Sequence, residues 1–358
     1  MPYTVLAINP GSTSTKIGVY EDAKELFTEN VPHTAEEIAG FPSIASQYEF
    51  RERHIRGALE KRGFDLSKLA CVVGRGGLLR PIPGGTYRVS AAMKEDLLSA
   101  RYGEHASNLG ALIAGALGDE LGIPAFIVDP VVVDELDDVA RIYGHALFRK
   151  QCIFHALNQK AVARRWAREH GKGYDQVTLI VAHMGGGVSV GLHKLGRVVD
   201  VNNALNGEGP FSPERAGTLP AGQLAKLCFS GKYTEKEVLK MITGQGGLVS
   251  LADTNDMRVL ENKFLEGRDQ HAILLFNAFI YNVGKAIGAL AAAAHGTLDG
   301  IILTGGIAYG KPVQAGLKAM VEWMAPVTVY PGEGELEALA SAGGRAMNGD
   351  EKAQEYGA

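Results

Sequence analysis

The sequence predicts an α/β protein built from two duplicated lobes with a ligand cleft between them. Its clearest pattern is a strand, a turn of small polar residues and a second strand, which occurs at residues 4–20 and again at residues 177–192. A third apolar run, residues 300–303, ends in a glycine pair and is followed by apolar residues at helical spacing. Because glycine turns at strand ends are where such sheets bind ligands, we expect the cleft to be the functional site.

The composition is that of an ordinary globular chain of two-domain length. Of its 358 residues 46% are hydrophobic and 21% are charged, which argues against disorder. The net charge of −4 gives no reason to expect nucleic acid or an anionic membrane as a partner. Three scattered cysteines, none in a CxxC pair, indicate neither a zinc site nor a disulfide framework. No signal peptide is predicted next to Met1, so we expect a cytoplasmic protein.

The predicted domains follow the duplication. An N-terminal domain spans residues 1–150 and is completed by a C-terminal helix within 336–358, and a nucleotide-binding domain spans 151–335. Apolar spacing predicts helices at 104–121 and 155–170.

Two further segments lie outside these motifs: a long apolar stretch and the C-terminal end. The apolar stretch 272–295 contains polar side chains, which favours a helix buried between domains or subunits over a membrane span. The residues from Asp350 onward are predicted to form a solvated tail.

The turn Asn9-Pro-Gly-Ser-Thr-Ser-Thr-Lys16 is the most informative segment of the chain. Backbone N–H groups in such a turn converge on one point and form a concavity for an anion. Gly11 would let the chain reach that point closely, because it has no Cβ and tolerates positive φ. Alone, the turn is equally compatible with a polar hairpin. Together with the glycine turns at 183–187 and 305–307, it predicts a polyphosphate site.

Phosphoryl transfer needs aligned oxygens, neutralised phosphoryl charge and a divalent metal. Four ionisable side chains outside these turns are candidates for these tasks. Arg75 lies in a glycine-rich segment and Arg215 follows a long irregular loop. Asp129 ends an apolar run, where an unpaired carboxylate is costly, and His155 begins a predicted helix. Surface exposure, helix capping or packing remain the structural alternatives for these side chains.

Taken in order, nine short segments resemble the acetate/butyrate kinases, members of the superfamily of sugar kinases, heat-shock proteins and actin. The chain looks closest to the butyrate kinases, including branched-chain fatty acid kinases. The segments are Asn9-Pro-Gly-Ser-Thr-Ser-Thr-Lys16, Gly74-Arg-Gly-Gly77, Phe126-Ile-Val-Asp129, Ile153-Phe-His-Ala-Leu-Asn-Gln-Lys160, Ala182-His-Met-Gly-Gly-Gly187, Ser212-Pro-Glu-Arg-Ala-Gly217, Asp253-Thr-Asn-Asp-Met-Arg258, Leu303-Thr-Gly-Gly-Ile307 and Pro331-Gly-Glu-Gly-Glu335.

The resemblance covers essentially the whole chain. It implies two actin-like (ribonuclease H-like) domains with a nucleotide cleft between them. It also implies ATP or ADP and Mg²⁺ as cofactors, a nucleotide and a small carboxylic acid as ligands, and a homo-oligomer of at least two chains.

The resemblance assigns roles residue by residue. Arg75 and Arg215 match arginines that grip the carboxylate and the transferred phosphoryl group. Asp129 matches the acid between metal and substrate, and His155 matches the histidine that stabilises the transition state. The phosphate- and nucleotide-binding set is Asn9, Gly11, Ser12, Thr13, Ser14, Lys16, His183, Gly185, Gly186, Gly187, Asp256, Met257, Arg258, Gly305, Gly306 and Ile307. Within this set, Asp256 to Arg258 and Gly305 to Ile307 match the adenosine site. The residues near the metal are Asn9 and a C-terminal glutamate, for which Glu335 is preferred and Glu333 and Glu337 are the alternatives.

Departures within the resemblance bear on the substrate. Acetate kinases tend to have a histidine where this chain has Gly74-Arg75, and the continuation Leu78-Leu-Arg-Pro-Ile-Pro-Gly-Gly85 has the form seen in butyrate kinases. Leu78, Leu79 and Ile82 would line a longer acyl pocket. Each buried methylene contributes only about 0.8 kcal/mol, so the chain-length preference should be graded.

The predicted reaction is reversible phosphoryl transfer from ATP to the carboxylate of butyrate or a related short or branched-chain fatty acid. The products are an acyl phosphate and ADP. An acetate or propionate kinase is the alternative within the family. A non-catalytic, actin-like nucleotide-binding protein is the alternative from another class, because it would need the phosphate turns but not Arg75, Arg215 and His155 together.

Overall fold

The computed structural model describes residues 3–22 and 24–357, and it divides the chain into two compact units. The first unit comprises Met1–Val133 and Gly334–Ala358, and the second comprises Asp134–Glu333. Met1 and Pro2, next to which the absence of a signal peptide was predicted, lie outside the described residues. The predicted domain limits, 1–150 with 336–358 and 151–335, differ from these units at residues 134–150 and 334–335.

The residues of the segment 134–150 are tied to the sheet of the second unit. The backbone N–H of Asp137 donates to the carbonyl of Val199 over 2.9 Å. The Lys150 ammonium lies 2.7 Å from a carboxylate oxygen of Asp200. These contacts join residues that are 62 and 50 positions apart in the chain, a pairing that local composition does not encode.

The strands of the described residues are numbered in chain order. They are β1 (Thr4–Pro10), β2 (Ser14–Glu21), β3 (Lys24–Pro32), β4 (Cys71–Arg75), β5 (Thr86–Arg88), β6 (Ala125–Val128), β7 (Thr178–Met184), β8 (Val188–Lys194), β9 (Arg197–Val201), β10 (Gly300–Gly305), β11 (Val327–Pro331) and β12 (Gln354–Glu355).

The α-helices of the described residues follow the same convention. They are α1 (Ala35–Ala39), α2 (Tyr48–Lys61), α3 (Ala91–Leu98), α4 (Asn108–Leu121), α5 (Ala156–Glu169), α6 (Ala221–Cys228), α7 (Glu235–Ile242), α8 (Leu248–Ala252), α9 (Met257–Glu266), α10 (Gln270–Ala293), α11 (Lys311–Val321) and α12 (Glu335–Asn348). The predicted helices at 104–121 and 155–170 are therefore present as α4 and α5.

The sheet of the first unit has the strand order β12-β5-β6-β4-β1-β2-β3. β1, β2 and β3 form an antiparallel meander, whereas β4 and β6 run parallel to β1. Leu6 and Ile8 of β1 pack in one core with residues of α2 and α4. Val5 lies on the opposite face, near Gly343 of α12. Because successive side chains of a strand alternate in direction, β1 is apolar throughout and is covered on both faces.

The sheet of the second unit repeats this arrangement with the strand order β11-β10-β7-β8-β9. β7, β8 and β9 form an antiparallel meander, and β10 and β11 run parallel to β7. These five strands have the same order and directions as β6-β4-β1-β2-β3. The predicted duplication of the α/β unit is therefore confirmed at the level of sheet topology.

The 24-residue helix α10 corresponds to the predicted apolar helix at 272–295. It is long and apolar enough to cross a membrane by length and composition, which is weak evidence because core helices meet the same criteria. Phe276, Phe279, Val283 and Ile287 are buried in the main core of the second unit. The buried face of α10 is thus accounted for by packing within one unit.

The predicted solvated tail after Asp350 is wrong. Gln354 and Glu355 form β12, which pairs with β5 at the edge of the first sheet. The Tyr356 side chain is buried, and its hydroxyl donates to Asp96 over 2.8 Å. A two-residue edge strand has too short a pattern to be recognised in a sequence that otherwise looks polar.

Candidate active site

The phosphate turn, residues 9–16, lies at the tip of the hairpin formed by β1 and β2. Asn9 and Lys16 face each other across the two strands. The turn is closed by a hydrogen bond from the Gly11 N–H to the Ser14 carbonyl over 2.8 Å. Gly11 does not have a positive φ, so the turn uses its lack of a Cβ and not its tolerance of that conformation. A Cβ there would lie 3.3 Å from the Ser14 oxygen, and the close approach within the turn explains the glycine.

A buried arginine that was not predicted from the sequence donates hydrogen bonds to the backbone carbonyls of the phosphate turn. Arg51 of α2 is only 1% exposed. Its guanidinium donates to the carbonyl oxygens of Gly11 over 2.7 Å, Ser12 over 3.0 Å and Ser14 over 3.4 Å. Among residues 3–22 and 24–357, no carboxylate lies within ion-pair distance of Arg51. A full positive charge therefore lies beside the turn, compensated only by neutral oxygens.

Asn9, Arg75 and Glu335 form a polar cluster in the first unit. The Arg75 guanidinium donates to the Asn9 side-chain oxygen over 3.2 Å and lies 3.0 Å from a Glu335 carboxylate oxygen. The Asn9 amide also donates to Glu335. Glu333 and Glu337 are exposed. Of the three candidate glutamates, the structure brings Glu335 together with Asn9.

Gly74, which precedes Arg75, is required by packing against α4. A Cβ at Gly74 would overlap the Gly110 carbonyl of that helix. The side-chain oxygen of Asn108, the first residue of α4, accepts the Leu78 N–H over 2.8 Å. The end of β4 therefore approaches the helix backbone closely, and this contact orients Arg75 at the strand terminus.

Asp129 follows β6 and has a strained backbone. It is 1% exposed and has φ of 37°, which is uncommon for a residue with a side chain. Its carboxylate accepts the Gly85 N–H over 2.8 Å, and its own N–H donates back to the Gly85 carbonyl over 3.0 Å. A left-handed residue costs on the order of 1–3 kcal/mol, and such strain concentrates at functional sites.

The three predicted acyl-pocket residues differ in burial. Leu79 and Ile82 are buried in a core shared with Tyr87 and Met93, whereas Leu78 is only partly buried. Leu79 and Ile82 therefore also contribute to the stability of the first unit.

In the second unit, His155 and His183 form a stacked pair of imidazoles. His155 precedes α5 and His183 lies near the end of β7, and their ring centroids are 3.8 Å apart with an interplanar angle of 12°. The Nδ1 atom of His155 lies 2.8 Å from the Ser189 hydroxyl. The Nδ1 atom of His183 lies 2.7 Å from the Asn158 side-chain oxygen.

The glycine turn 185–187 and the loop that carries Arg215 are bonded to each other. The Ser212 hydroxyl donates to the Gly186 carbonyl over 2.7 Å and also accepts the Arg215 N–H over 3.1 Å. A Cβ at Gly187 would overlap the Arg215 guanidinium, so the glycine is what lets the arginine lie across the turn. The guanidinium donates to the Ala204 carbonyl over 2.6 Å. Burial lowers the pKa of Arg215, but a guanidinium stays protonated in proteins.

The residues predicted to bind adenosine belong to two segments of the second unit. Gly305 ends β10, and Gly306 and Ile307 lie in the short 3₁₀ helix that follows. Asp256 caps α9 by accepting the Arg258 N–H over 2.9 Å and forms an ion pair with the Arg258 side chain. Met257 is buried in the main core of this unit.

The donor set for a metal ion is small. Among the described residues, no group of three or more His, Cys, Asp or Glu side chains is suited to hold one. Asn9 and Glu335 do bring a side-chain amide and a carboxylate together: the Asn9 amide nitrogen donates to Glu335, and the Asn9 amide oxygen accepts from Arg75. Mg²⁺ prefers oxygen ligands and typically takes only one or two carboxylates from the protein, with substrate phosphates and water completing its shell. The two residues fit that ion.

Comparison with known proteins identifies similar chains. A model of the acetokinase family matches residues 139–320, just over half of the chain. A protein named "Probable butyrate kinase" from Clostridium botulinum (strain Alaska E43 / Type E3) is 56% identical over 356 residues, which cover 99% of this chain and 100% of the relative. "Butyrate kinase 1" from Clostridium acetobutylicum is 54% identical over 354 residues, with 99% of each chain covered.

Solved structures with lower sequence identity share the fold. Porphyromonas gingivalis acetate kinase superposes with a TM-score of 0.76 at 18% identity, covering 97% of this chain and 100% of the other. A propionate kinase from Francisella tularensis subsp. tularensis SCHU S4 has a TM-score of 0.70 at 16% identity, covering 95% and 98%. At these identities the structural likeness establishes the predicted fold alone.

Proposed function

We propose that this chain, which belongs to the acetokinase family, transfers a phosphoryl group from ATP to the carboxylate of butyrate or a related short or branched-chain fatty acid. The resemblance predicted from the sequence is confirmed by the full-length relatives. The observation that carries the proposal is identity above 50% to proteins named butyrate kinase over 99% of the chain. The enzyme is accordingly a phosphotransferase with a carboxyl group as acceptor.

The chemistry requires little proton transfer. The carboxylate is ionised at neutral pH, so its oxygen attacks the γ-phosphorus without a general base. The new bond joins that oxygen to phosphorus, while the bond from phosphorus to the bridging oxygen breaks and ADP leaves with the electron pair. What the protein supplies is alignment and neutralisation of phosphoryl charge.

Two arginines and a histidine are suited to that task. Arg75 and Arg215 bind the acid's carboxylate and the transferred phosphoryl group, because guanidinium groups form paired hydrogen bonds to such anions. His155 donates a hydrogen bond to the phosphoryl oxygens. Asp129, held in a strained backbone conformation, orients the groups around the acid.

The phosphates of the nucleotide are bound by the phosphate turn and by the glycine turn 185–187, which offer backbone N–H groups and hydroxyls. The turn at 305–307 and the region of Asp256 and Arg258 bind the adenosine. Asn9 and Glu335 hold Mg²⁺, which when bound supplies positive charge to the phosphates. Arg75 would then exchange part of its contact with Glu335 for the substrate.

A substrate panel tests the proposal. Hydroxylamine traps acyl phosphates as hydroxamates, so acids from acetate to hexanoate can be compared with ATP present. We expect a graded preference with a maximum among C4 and C5 acids. Strict dependence of ATP turnover on the acid supports the enzyme, and turnover that is independent of the acid contradicts it. A maximum at acetate or propionate would instead select the alternative within the family.

Location and assembly are also proposed. The three cysteines, Cys71, Cys152 and Cys228, are free thiols in the structure, which agrees with a reducing cytoplasm. A homodimer or larger assembly is supported by the exposed Leu274 and Tyr281 on the outer face of α10. Light scattering coupled to size-exclusion chromatography tests this, and a monomer at micromolar concentration would contradict it.

A further inference from the structure

A series of hydrogen-bonded polar side chains, most of them buried, ends at His155. It runs from the Tyr174 hydroxyl to His193 Nδ1 over 2.7 Å, and from His193 Nε2 to the Gln159 side-chain oxygen over 3.0 Å. It continues from the Gln159 amide nitrogen to the Ser189 hydroxyl over 2.7 Å, and from that hydroxyl to His155 Nδ1 over 2.8 Å. Gln159, Ser189 and His193 are fully buried. The direction of every hydrogen bond therefore matters, because water cannot repair a mismatch.

The backbone of Ser189 sets that direction. The Gln159 amide nitrogen also lies 3.0 Å from the Ser189 carbonyl oxygen, which can only accept. The nitrogen of Gln159 therefore faces Ser189 and its oxygen faces His193. The two amide hydrogens are used on the carbonyl and the hydroxyl of Ser189.

The proton positions can be assigned one hydrogen bond at a time, starting from Gln159. The Gln159 oxygen accepts, so His193 carries its hydrogen on Nε2, and His193 Nδ1 accepts from the Tyr174 hydroxyl. The Ser189 hydroxyl already accepts from Gln159, and the acceptor within reach of its own hydrogen is His155 Nδ1. His155 is then the tautomer that carries its hydrogen on Nε2.

His183 is held in the opposite tautomer. The Asn158 amide nitrogen donates to the Glu333 carbonyl over 2.6 Å, which turns the Asn158 oxygen towards His183. His183 therefore carries its hydrogen on Nδ1. Since the two rings are stacked at 3.8 Å, protonation of both would place two positive charges in contact. The stack thus opposes a doubly charged pair.

We propose that Ser189 and Gln159 are positioning residues that fix His155 as the Nε2–H tautomer. A neutral His155 then presents a hydrogen-bond donor, rather than a lone pair, at Nε2. The consequence for catalysis rests on the proposed function, in which this hydrogen meets an oxygen of the transferred phosphoryl group. The tautomer itself follows from the second unit alone.

The tautomer is measured directly by NMR on protein with ¹⁵N-labelled histidine, because protonated and unprotonated ring nitrogens have well-separated shifts. The His155 signals are assigned by their loss in His155→Gln. At neutral pH we expect an unprotonated Nδ1 and a protonated Nε2 for His155, with the reverse for His183. A protonated Nδ1 and unprotonated Nε2 at His155 would overturn the proposal.

Variants connect the tautomer to turnover. In Ser189→Ala we expect His155 to populate both tautomers and kcat to fall by about 10- to 100-fold, with KM values within about twofold, because only the donor in the transition state is affected. Ser189→Thr keeps the hydroxyl and should restore the wild-type shifts and most of kcat. Gln159→Leu should behave like Ser189→Ala.

Controls separate this proposal from the proposed function. Ser230→Ala removes an exposed hydroxyl that donates to the Leu227 carbonyl, and it should change neither shifts nor kcat. Circular dichroism melting identifies any variant that fails to fold, in which case the wild-type shifts and Ser189→Thr still decide. If the expected tautomers are present but no acid is phosphorylated, the proposed function fails and the assignment stands. If Ser189→Ala keeps wild-type kcat and shifts, the positioning role fails and the function stands.

Discussion

The guanidinium groups of Arg75 and Arg215 have different hydrogen-bond partners. The Arg75 guanidinium has a carboxylate, that of Glu335, at 3.0 Å, whereas the Arg215 guanidinium donates to the Ala204 backbone carbonyl over 2.6 Å. A guanidinium that is largely desolvated without an ion pair gains more from an incoming anion. The two arginines should therefore both matter for turnover, with Arg215 more sensitive to loss of charge.

Replacement of either arginine by alanine tests this expectation. We expect Arg75→Ala and Arg215→Ala each to lower kcat in the hydroxamate assay by at least about 100-fold, because charge stabilisation in the transition state is lost. Arg62→Ala removes an exposed arginine paired with Glu29 and serves as the control. Near-wild-type turnover in a folded Arg75 or Arg215 variant would contradict the assigned roles.

Arg51 illustrates a residue whose importance depends on a distant turn. In Arg51→Met we expect KM for ATP to rise by about tenfold or more, because the carbonyls of Gly11, Ser12 and Ser14 lose their common donor. The free energy of unfolding should fall by about 2–4 kcal/mol, since buried acceptors are left without partners.

The control for this change lies on the same helix. Arg53 is exposed two residues along α2, so Arg53→Met removes an arginine without touching the turn. Denaturant unfolding and ATP titration measure both effects. A stable Arg51→Met protein with unchanged KM would show that the turn holds its shape without the guanidinium.

The lowered pKa of His33, which follows β3, makes the free energy of unfolding depend on pH. Burial, the Arg51 charge and His54 lower its pKa to about 4, while Glu37 opposes the shift. Because the folded pKa lies below the ordinary value of about 6.5, the unfolded chain binds the proton first as the pH falls. Stability from this group is complete above about pH 6.5 and is lost towards pH 4, by at most about 3 kcal/mol.

Urea unfolding at pH 7.5 and pH 5 measures this dependence. We expect the wild type to lose more stability between these values than His33→Gln, which has no proton to bind. Equal losses in the two proteins would assign the acid sensitivity to other groups.

At the scale of elements, the helix α12 offers a matched pair of adjacent glycines. A Cβ at Gly343 would lie 2.8 Å from Val73 and 3.0 Å from Val5, whereas a Cβ at Gly344 meets nothing within 4 Å. Gly343→Ala should therefore destabilise the protein by about 1–3 kcal/mol through overpacking. Gly344→Ala should stabilise it by about 0.5–1 kcal/mol through helix propensity. Thermal unfolding of both variants checks the sign, and a stabilised Gly343→Ala would contradict the packing of α12 on β1 and β4.

The elements also show where prediction from sequence works. Helices α4 and α5 were predicted to within four residues, because each has an apolar face that repeats over several turns. The strand β12 was missed, since two residues carry no periodic signal. The prediction put residues 134–150 in the N-terminal domain, whereas the structure has them in the second unit. Their contacts to Val199 and Asp200 join residues far apart in the chain, which local sequence patterns do not show.

At the scale of the whole molecule, the two units repeat one topology of five strands while their functional groups differ. The first unit contributes the phosphate turn and the cluster of Asn9, Arg75 and Glu335. The second contributes the stacked histidines and Arg215. One strand topology therefore presents different side chains at its strand ends in the two units.

The sequence alone determined the duplicated α/β fold and the family, and it predicted the residue types of the candidate site, because strand–turn–strand patterns and short ordered motifs are local signals. Only the tertiary structure decided which glutamate joins Asn9, that Arg51 holds the phosphate turn, and which nitrogen of His155 carries its hydrogen. Each of these depends on side chains brought together from distant parts of the chain. Such contacts are set by packing, and no periodicity or motif in the sequence records them.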